Sequence, residues 1–194
     1  MKIGDAKPIY YASRKELVEQ MRSLSKQKEE AEKKYKATGD GTFSEQAATL
    51  ELSLNATTKA FEENQKVIDS IMDQCVAVAN MESAKQQGEA MEKYAEDVGK
   101  IMTVFRRMAN GDIVPQTDEK KLLEYDDKMY QMAKNMQTMA MQMKKERKKY
   151  KSLWEEEEEK QNNPDPMDVA DNTEFSGELP DIEIPDIPTE TSEE

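Results

Sequence analysis

The sequence predicts an all-α protein: an elongated helical hairpin or coiled-coil bundle of about three helices, followed by a disordered acidic tail. Apolar residues recur along most of the chain at alternating spacings of three and four, which is the heptad spacing of a coiled-coil seam. Charged residues make up 36% of the 194 residues and aromatic residues only 6%, so the apolar side chains form stripes and are too few for a large compact core. From residue 161 onwards the chain is acidic and contains no Lys or Arg.

The helical body is predicted over residues 13–160, after an irregular segment at 1–12 that contains Pro8. Ser13 and Glu16 have the spacing of a capping box, in which the two side chains satisfy backbone donors of the first turn. The first helix is therefore predicted over 13–37. It is expected to end at the turn that contains Gly39 and Gly41.

The second helix is predicted over 44–109, because Thr42 and Glu45 form another candidate capping box and no proline interrupts the segment. We expect one continuous helix with a weak point near Gly88, although two helices that meet there would give the same pattern. The apolar seam of this helix includes Leu50, Leu54, Phe61, Ile68 and Ile71.

The third helix is predicted over 118–160. Asn110 and Gly111 tolerate a positive φ and Pro115 prevents helix continuation, so the chain breaks before it, and Thr117 or Asp118 then caps it. A regular stripe of methionines follows. Methionine adapts to irregular surfaces, so the stripe predicts either a fixed helix–helix interface or an adaptable binding surface. Its members are Met129, Met132, Met136, Met139 and Met143.

The net charge of −13 is unevenly distributed. Residues 161–194 carry eleven acids, and residues 155–160 carry five glutamates and one lysine. Without these two segments the chain has a net charge of +2, so the acidity belongs to the C-terminal part. We expect residues 161–194 to be disordered, because their few apolar side chains cannot offset the entropy lost on ordering.

A basic cluster precedes the acidic segment. It could contact the phosphates of nucleic acid or an anionic membrane surface. We favour a charge-paired or autoinhibited patch over nucleic-acid or membrane binding, because acidic residues follow the cluster at once and would compete for the same surface. The cluster consists of Lys144, Lys145, Arg147, Lys148, Lys149 and Lys151.

The acidic tail contains one patterned segment, in which Pro-Asp-Ile occurs at 180–182 and again at 185–187. Prolines favour an extended backbone before binding, which lowers the entropy lost on binding, and the apolar side chains can then fill pockets on a receptor. The alternative is a spacer of biased composition. The apolar and proline residues of this tail motif are Leu179, Pro180, Ile182, Ile184, Pro185 and Ile187.

The layout resembles that of the ESCRT-III subunits, in which a helical hairpin body precedes an acidic tail with a short Leu-Pro-type motif. Residues 178–182 (Glu-Leu-Pro-Asp-Ile) are similar in kind to that motif. The resemblance implies membrane remodelling and a tail that docks on an ATPase. The strongly basic first helix of that family has no counterpart here, because residues 1–36 hold ten Lys or Arg together with several acids.

The composition argues against several functional classes. There is no histidine and only one cysteine, Cys75, so His-dependent catalytic triads, disulfide frameworks and cysteine zinc sites are not expected. Cys75 lies on the seam, where a small buried side chain is expected. No apolar run is long enough to span a bilayer and no secretion signal is evident, so a cytoplasmic location is predicted.

The sequence therefore predicts a non-enzymatic scaffold or adaptor that acts through coiled-coil self-association or pairing with a partner helix. Its acidic tail would recruit or regulate, and no catalytic residue, cofactor, metal or small-molecule substrate is expected. A secretion-type helical chaperone or substrate is one alternative. A peripheral membrane-remodelling protein, or a nucleic-acid binder that uses residues 144–151, is the other.

Overall fold

The computed structural model describes residues 1–143, 146–154 and 163–186. In these ranges the chain forms five helices and no strand, which confirms the all-α class. No helix within these ranges has an apolar stretch long enough to cross a membrane. The helices are α1 (Ile3–Thr38), α2 (Gly41–Ala109), α3 (Gln116–Tyr125), α4 (Asp127–Met143) and α5 (Pro166–Asn172).

The chain divides into two units, with the boundary inside α2. The first unit comprises Met1–Ser83 and Pro164–Glu194, and the second comprises Ala84–Asn163. The predicted number of about three helices differs from the five observed. The region predicted as the third helix contains two shorter ones, and a further helix lies in the C-terminal part.

α1 begins at Ile3, ten residues before the predicted start, and Pro8 lies inside it. Its first turn is held by the C-terminal part of the chain: the Ile3 amide donates to the Thr173 carbonyl at 2.9 Å, and the Phe175 amide donates to the Met1 carbonyl at 3.0 Å. Ser13 therefore lies within the helix and does not cap it. The segment 1–12, which was predicted to be irregular, is helical from Ile3 because these tertiary contacts hold its start. A local sequence pattern cannot report contacts with residues so distant in the chain.

The turn between α1 and α2 lies where the two glycines predicted it. Gly39 has a φ of 74°, a conformation that glycine adopts without strain, and its amide donates to the Tyr35 carbonyl at 2.8 Å. The Asp40 carboxylate accepts a hydrogen bond from the Thr42 amide at 3.0 Å. Asp40, and not Thr42, therefore supplies the side-chain cap of α2. α2 then continues through Gly88 to Ala109, as one helix.

The core of the first unit consists of two apolar clusters to which α1 and α2 both contribute. The predicted seam of α2 enters them: Leu50, Ile68 and Ile71 are buried, while Leu54 and Phe61 are half-buried. Arg14 of α1 lies over the Phe61 ring. One cluster contains Ile3, Ala6, Tyr10, Ile68, Ile71, Cys75, Ala79 and Ala170, and the other contains Leu24, Ala31, Ala47 and Leu50.

The C-terminal part of the first unit packs against α1 and α2. Ala170 of α5 is buried in the first of these clusters, and residues 173–186, which we call the strap, continue from α5 without helix or strand. Disorder was predicted for 161–194, but the described residues 163–186 are ordered against this surface. Residues 161–162 and 187–194 lie outside the described residues. The composition argument fails for 163–186 because the surface that receives them is already built, so they need no core of their own.

The second unit is built around the last turns of α2 together with α3 and α4. Asp126 separates α3 from α4: its backbone is extended, and its carboxylate accepts a hydrogen bond from the Met129 amide at 2.9 Å. An aspartate in this position caps a new helix in preference to continuing the old one. The buried residues of this core are Ile101, Val104, Met108, Val114, Leu122 and Ala133.

The predicted third helix also ends earlier than residue 160, because residues 146–154 are not helical. The Ile113 amide donates to the Lys148 carbonyl at 2.8 Å, and the Tyr150 amide donates to the Ile113 carbonyl at 3.1 Å. The Trp154 indole donates to Asp97 of α2 at 2.9 Å. These tertiary contacts replace the hydrogen bonds that a longer helix would have made.

Substitution of three helical glycines tests the packing of α5 against α1, and two of them, Gly88 and Gly99, lie in α2 away from that contact. Within the described part of the chain, no atom outside the adjoining residues and the surrounding backbone of α2 lies within 4 Å of the Cβ that Gly88→Ala or Gly99→Ala would add. Alanine is favoured over glycine in a helix interior by about 1 kcal/mol, so each change is expected to raise the free energy of unfolding by about that amount. Urea denaturation followed by circular dichroism measures it.

Gly4→Ala is the matched control, because its Cβ would lie 3.0 Å from the Asp171 carbonyl oxygen of α5. We expect no gain there, since the crowding offsets the better helix propensity. An equal gain at all three glycines would contradict the close approach of α5 to α1.

Candidate interaction surfaces

The strap is held mainly by side chains of α1 and α2 that bond to its backbone. The Tyr10 hydroxyl donates to the Pro180 carbonyl at 2.7 Å, and the Gln20 side-chain amide donates to the Pro185 carbonyl. Gln74 bonds to both backbone groups of Ser176: its Nε2 donates to the carbonyl at 2.7 Å, and its Oε1 accepts from the amide at 2.9 Å. Backbone recognition of this kind favours an extended conformation.

The spacing of the two Pro-Asp-Ile repeats matches the spacing of two side chains on α1. The carbonyl of each repeat's proline accepts a hydrogen bond from α1, and the two prolines are five residues apart while Tyr10 and Gln20 are ten residues apart. Five residues of polyproline II and ten residues of α-helix each span about 15 Å. The repeat therefore has the period needed to bond to one helix at two levels.

The apolar residues of the tail motif occupy different environments. Leu179 and Ile182 are half-buried against the cluster that contains Tyr10 and Ile71. Ile184 is half-buried and lines an open groove with Pro185. Ile187 lies outside the described residues. Leu179 and Ile182 therefore pack within the chain itself, and the binding of the motif's apolar residues to a receptor stays a prediction.

A polar cluster anchors α5 to α1. Lys7 Nζ lies 2.5 Å from Asp171 Oδ1 and 3.0 Å from the sulfur of the buried Cys75. The hydrogen bond to Asp171, and then that to Cys75, raise the pKa of Lys7 above its ordinary value of 10.5, against the opposing effect of burial. Burial, and then the charge of Asp181, also raise the pKa of Tyr10.

These two shifts predict alkaline weakening of the docked C-terminal part. A group whose pKa is raised by folding stabilises the fold below its unfolded pKa, and this contribution is lost as the pH rises through the folded pKa. We therefore expect the urea midpoint to fall between pH 9 and pH 11.5, roughly the range around the ordinary pKa values of Tyr and Lys. In Lys7→Met the fall should be smaller, and equal falls in both proteins would argue against the Lys7–Asp171 contact.

The methionine stripe predicted in the third helix lies on α4 and is exposed. Four of the predicted residues have relative exposures between 44% and 88%, and the fifth, Met129, is half-buried. The buried face of α4 is a different one, formed by Ala133 and by Gln137, whose side-chain amide donates to the Asp112 carbonyl at 3.1 Å. The exposed members, spaced by four, three and four residues, are Met132, Met136, Met139 and Met143.

The described part of the basic cluster lies on the non-helical segment 146–154. Lys148, Lys149 and Lys151 are exposed. Arg147 is also exposed, and its Nε donates to the Gly111 carbonyl at 2.8 Å. The described residues of the cluster therefore do not lie on a charged helix face as predicted. Lys144 and Lys145 lie outside the described residues.

Sequence reasoning did not identify the residues that receive the strap. Tyr10 fell in the segment predicted as irregular, and Gln20 and Gln74 looked like ordinary polar positions on solvated helix faces. One signal was present: the five-residue period of Pro-Asp-Ile matches the rise of ten residues of helix, which points to a helical receptor within reach.

Comparison of the chain with protein-family models, with curated proteins and with solved structures found no match. Two surfaces of the protein itself therefore bear on its function, the methionine stripe of α4 and the groove that holds the strap.

Proposed function

We propose that this protein is a non-enzymatic helical scaffold or adaptor that associates with a second copy of itself through the methionine stripe of α4, while its acidic tail regulates or recruits. The observation that carries the proposal is the inverted amphipathicity of α4. This helix buries Ala133 and Gln137 and exposes five methionines, four of which form the stripe. A helix that served only the core of its own chain would bury its large apolar side chains.

The spacing of the stripe supports pairing with another helix. Met132, Met136, Met139 and Met143 follow the alternation of a coiled-coil seam, so their side chains lie along one line of the helix surface. Unbranched thioether side chains interdigitate readily with a like surface. Contiguous exposed apolar residues of this kind are typical of interaction sites.

The charges around the stripe support a second copy as the partner. Between residues 131 and 143 the only charged residue is Lys134, and its Nζ is bonded to Glu119 at 2.7 Å. The other polar residues of this stretch are amides and a threonine, which neither repel nor attract a charged partner. Two α4 helices can therefore meet without like-charge repulsion, whereas a partner chosen by charge would need charged flanks.

Light scattering after size-exclusion chromatography tests this proposal. Met136→Gln combined with Met139→Gln is expected to weaken self-association about a hundredfold, because two apolar side chains lose their burial at the interface. Both side chains are exposed within the chain, so the free energy of unfolding of the separated chain should change by less than about 0.5 kcal/mol.

Met81→Gln combined with Met91→Gln is the matched control. These methionines are as exposed as those of the stripe but lie outside α4, so association should be unchanged. A wild-type protein that remains monomeric at every concentration would refute self-association. That result would favour the alternative of a secretion-type chaperone, in which the stripe holds an amphipathic helix of another chain.

A further inference from the structure

We propose that the groove beneath the strap, which contains Tyr10 and Gln20 of α1 and Gln74 of α2, is a receptor site for an extended segment of another protein. Residues 173–186 occupy it in cis as a weaker ligand. This inference is independent of the methionine stripe. It depends on two mismatches between the strap and the groove of the first unit, one in hydrogen bonding and one in charge.

Gln74 shows what a matched contact looks like in this groove. Its side-chain amide bonds to both the carbonyl and the amide of Ser176, so donor and acceptor are each satisfied by one residue of the strap. A glutamine that faces an extended backbone can make this pair of bonds with any residue except proline, which has no N–H.

Gln20 makes only half of that pair. The relative exposure of Gln20 is only 7%, and its Nε2 donates to the Pro185 carbonyl. Its Oε1 is buried and accepts no hydrogen bond from any described residue. Pro185 cannot supply the missing N–H. A buried acceptor without a donor is unfavourable, so a ligand with any other residue at this position gains a hydrogen bond that the strap cannot make.

The charge of the strap is also mismatched with α1 near Asp186. Glu16 and Glu19 of α1 line a groove of about 580 Å³ together with Asp186 of the strap, and the described residues that line this groove include no Lys or Arg. Three carboxylates around one groove repel one another. A ligand with a neutral or basic residue in place of Asp186 would bind there more tightly.

These mismatches define the chemistry of the occupant. It is an extended segment with leucine or isoleucine at the positions of Leu179 and Ile182, a residue other than proline at position 185, and a neutral or basic residue at position 186. The strap of a second copy would bring the same proline and the same aspartate, so it has no advantage over the strap already tethered in cis. Another protein is therefore the expected source.

Fluorescence polarisation with the full-length chain and labelled 14-residue peptides tests the proposal. The peptides have the sequence of residues 173–186, either unchanged or with P185A or D186K. We expect each altered peptide to bind about fivefold or more tightly than the unchanged one, even though P185A loses some of the extension that proline provides.

Gln20→Leu in the full-length chain separates the two effects. It removes the buried acceptor, so the advantage of the P185A peptide should disappear while that of the D186K peptide remains. Circular dichroism verifies that the variant is folded. Equal affinities of all three peptides for the wild-type chain, or no binding by any of them, would overturn the proposal.

A substitution in the strap of the full-length chain provides the second readout. The full-length chain with P185A in its own strap should bind the same peptides more weakly than the wild-type chain, because its groove is better occupied. Unchanged peptide binding in that variant would place the peptides elsewhere and would also refute the proposal. Met136→Gln with Met139→Gln should leave peptide binding intact, so failure here and failure of the proposed self-association are distinguishable.

Discussion

Ala170→Asp is expected to lower the free energy of unfolding of the first unit by about 3 kcal/mol or more, because it places a carboxylate in an apolar cluster. Ala170 is fully buried against Ile3, Ala6 and Ile71. The nearby Lys7 is already bonded to Asp171. We therefore expect α5 and the strap to detach before the rest of the unit unfolds, which urea denaturation combined with limited proteolysis would detect.

Met167→Asp is the matched control for this variant. It introduces the same charge into the same helix, but Met167 is 47% exposed. The free energy of unfolding should change by less than about 0.5 kcal/mol. If both substitutions were equally mild, α5 would not be packed as described.

Asp118→Ala should have a comparable effect on the second unit. Asp118 is fully buried on α3 and accepts hydrogen bonds from the Ser152 hydroxyl and, at 3.1 Å, from the Leu153 amide. Removal of the carboxylate leaves these donors unsatisfied, so we expect a loss of about 2–4 kcal/mol and release of residues 146–154. Emission from the protein's one tryptophan, Trp154, would shift to the red as its ring becomes exposed to water.

Glu124→Ala provides the comparison within α3. Its carboxylate lies 3.7 Å from Lys120 on the exposed face of the helix, an ion pair worth about 0.5 kcal/mol or less. A loss of stability in Asp118→Ala no greater than in Glu124→Ala would contradict the buried contact with residues 152–153.

The parts of the fold that depend on local pattern could be predicted from the sequence. The turn at Gly39 is set by glycine, the continuity of α2 by the absence of proline within it, and its end at Ala109 by Asn110, Gly111 and Pro115, all of which act within a few residues. The α2 seam residues Leu50, Ile68 and Ile71 are buried as expected of apolar side chains at heptad spacing.

The parts of the fold that depend on contacts between distant residues could not be predicted from the sequence. α1 begins at Ile3 because residues 173 and 175 bond to the chain end, and no local signal reports this. Charge density predicted a disordered tail because composition counts a segment's own apolar residues and not the surface that receives them. Asp126 was hidden inside a regular 3–4 alternation, although its capping preference was available from residue type alone.

The methionine stripe lies between these cases. Its residues could be identified from spacing, but the pattern does not reveal which face the chain covers. The small side chain of Ala133 and the hydrogen bond of Gln137 to Asp112 turn the other face of α4 inwards. Tertiary contacts thus decide which face of α4 is buried, and they leave Met132, Met136, Met139 and Met143 exposed for the partner that we propose.

Residues 173–186 dock along the first unit, and amide hydrogen exchange of the full-length chain tests this docking most directly. The amides of Phe175 and Ser176 donate to the Met1 carbonyl and to Gln74 Oε1, so both should exchange slowly, and Gln74→Leu should remove the protection of Ser176 while leaving α2 intact. Exchange of both amides at the rate of an unstructured peptide in the wild-type chain would contradict the docked strap.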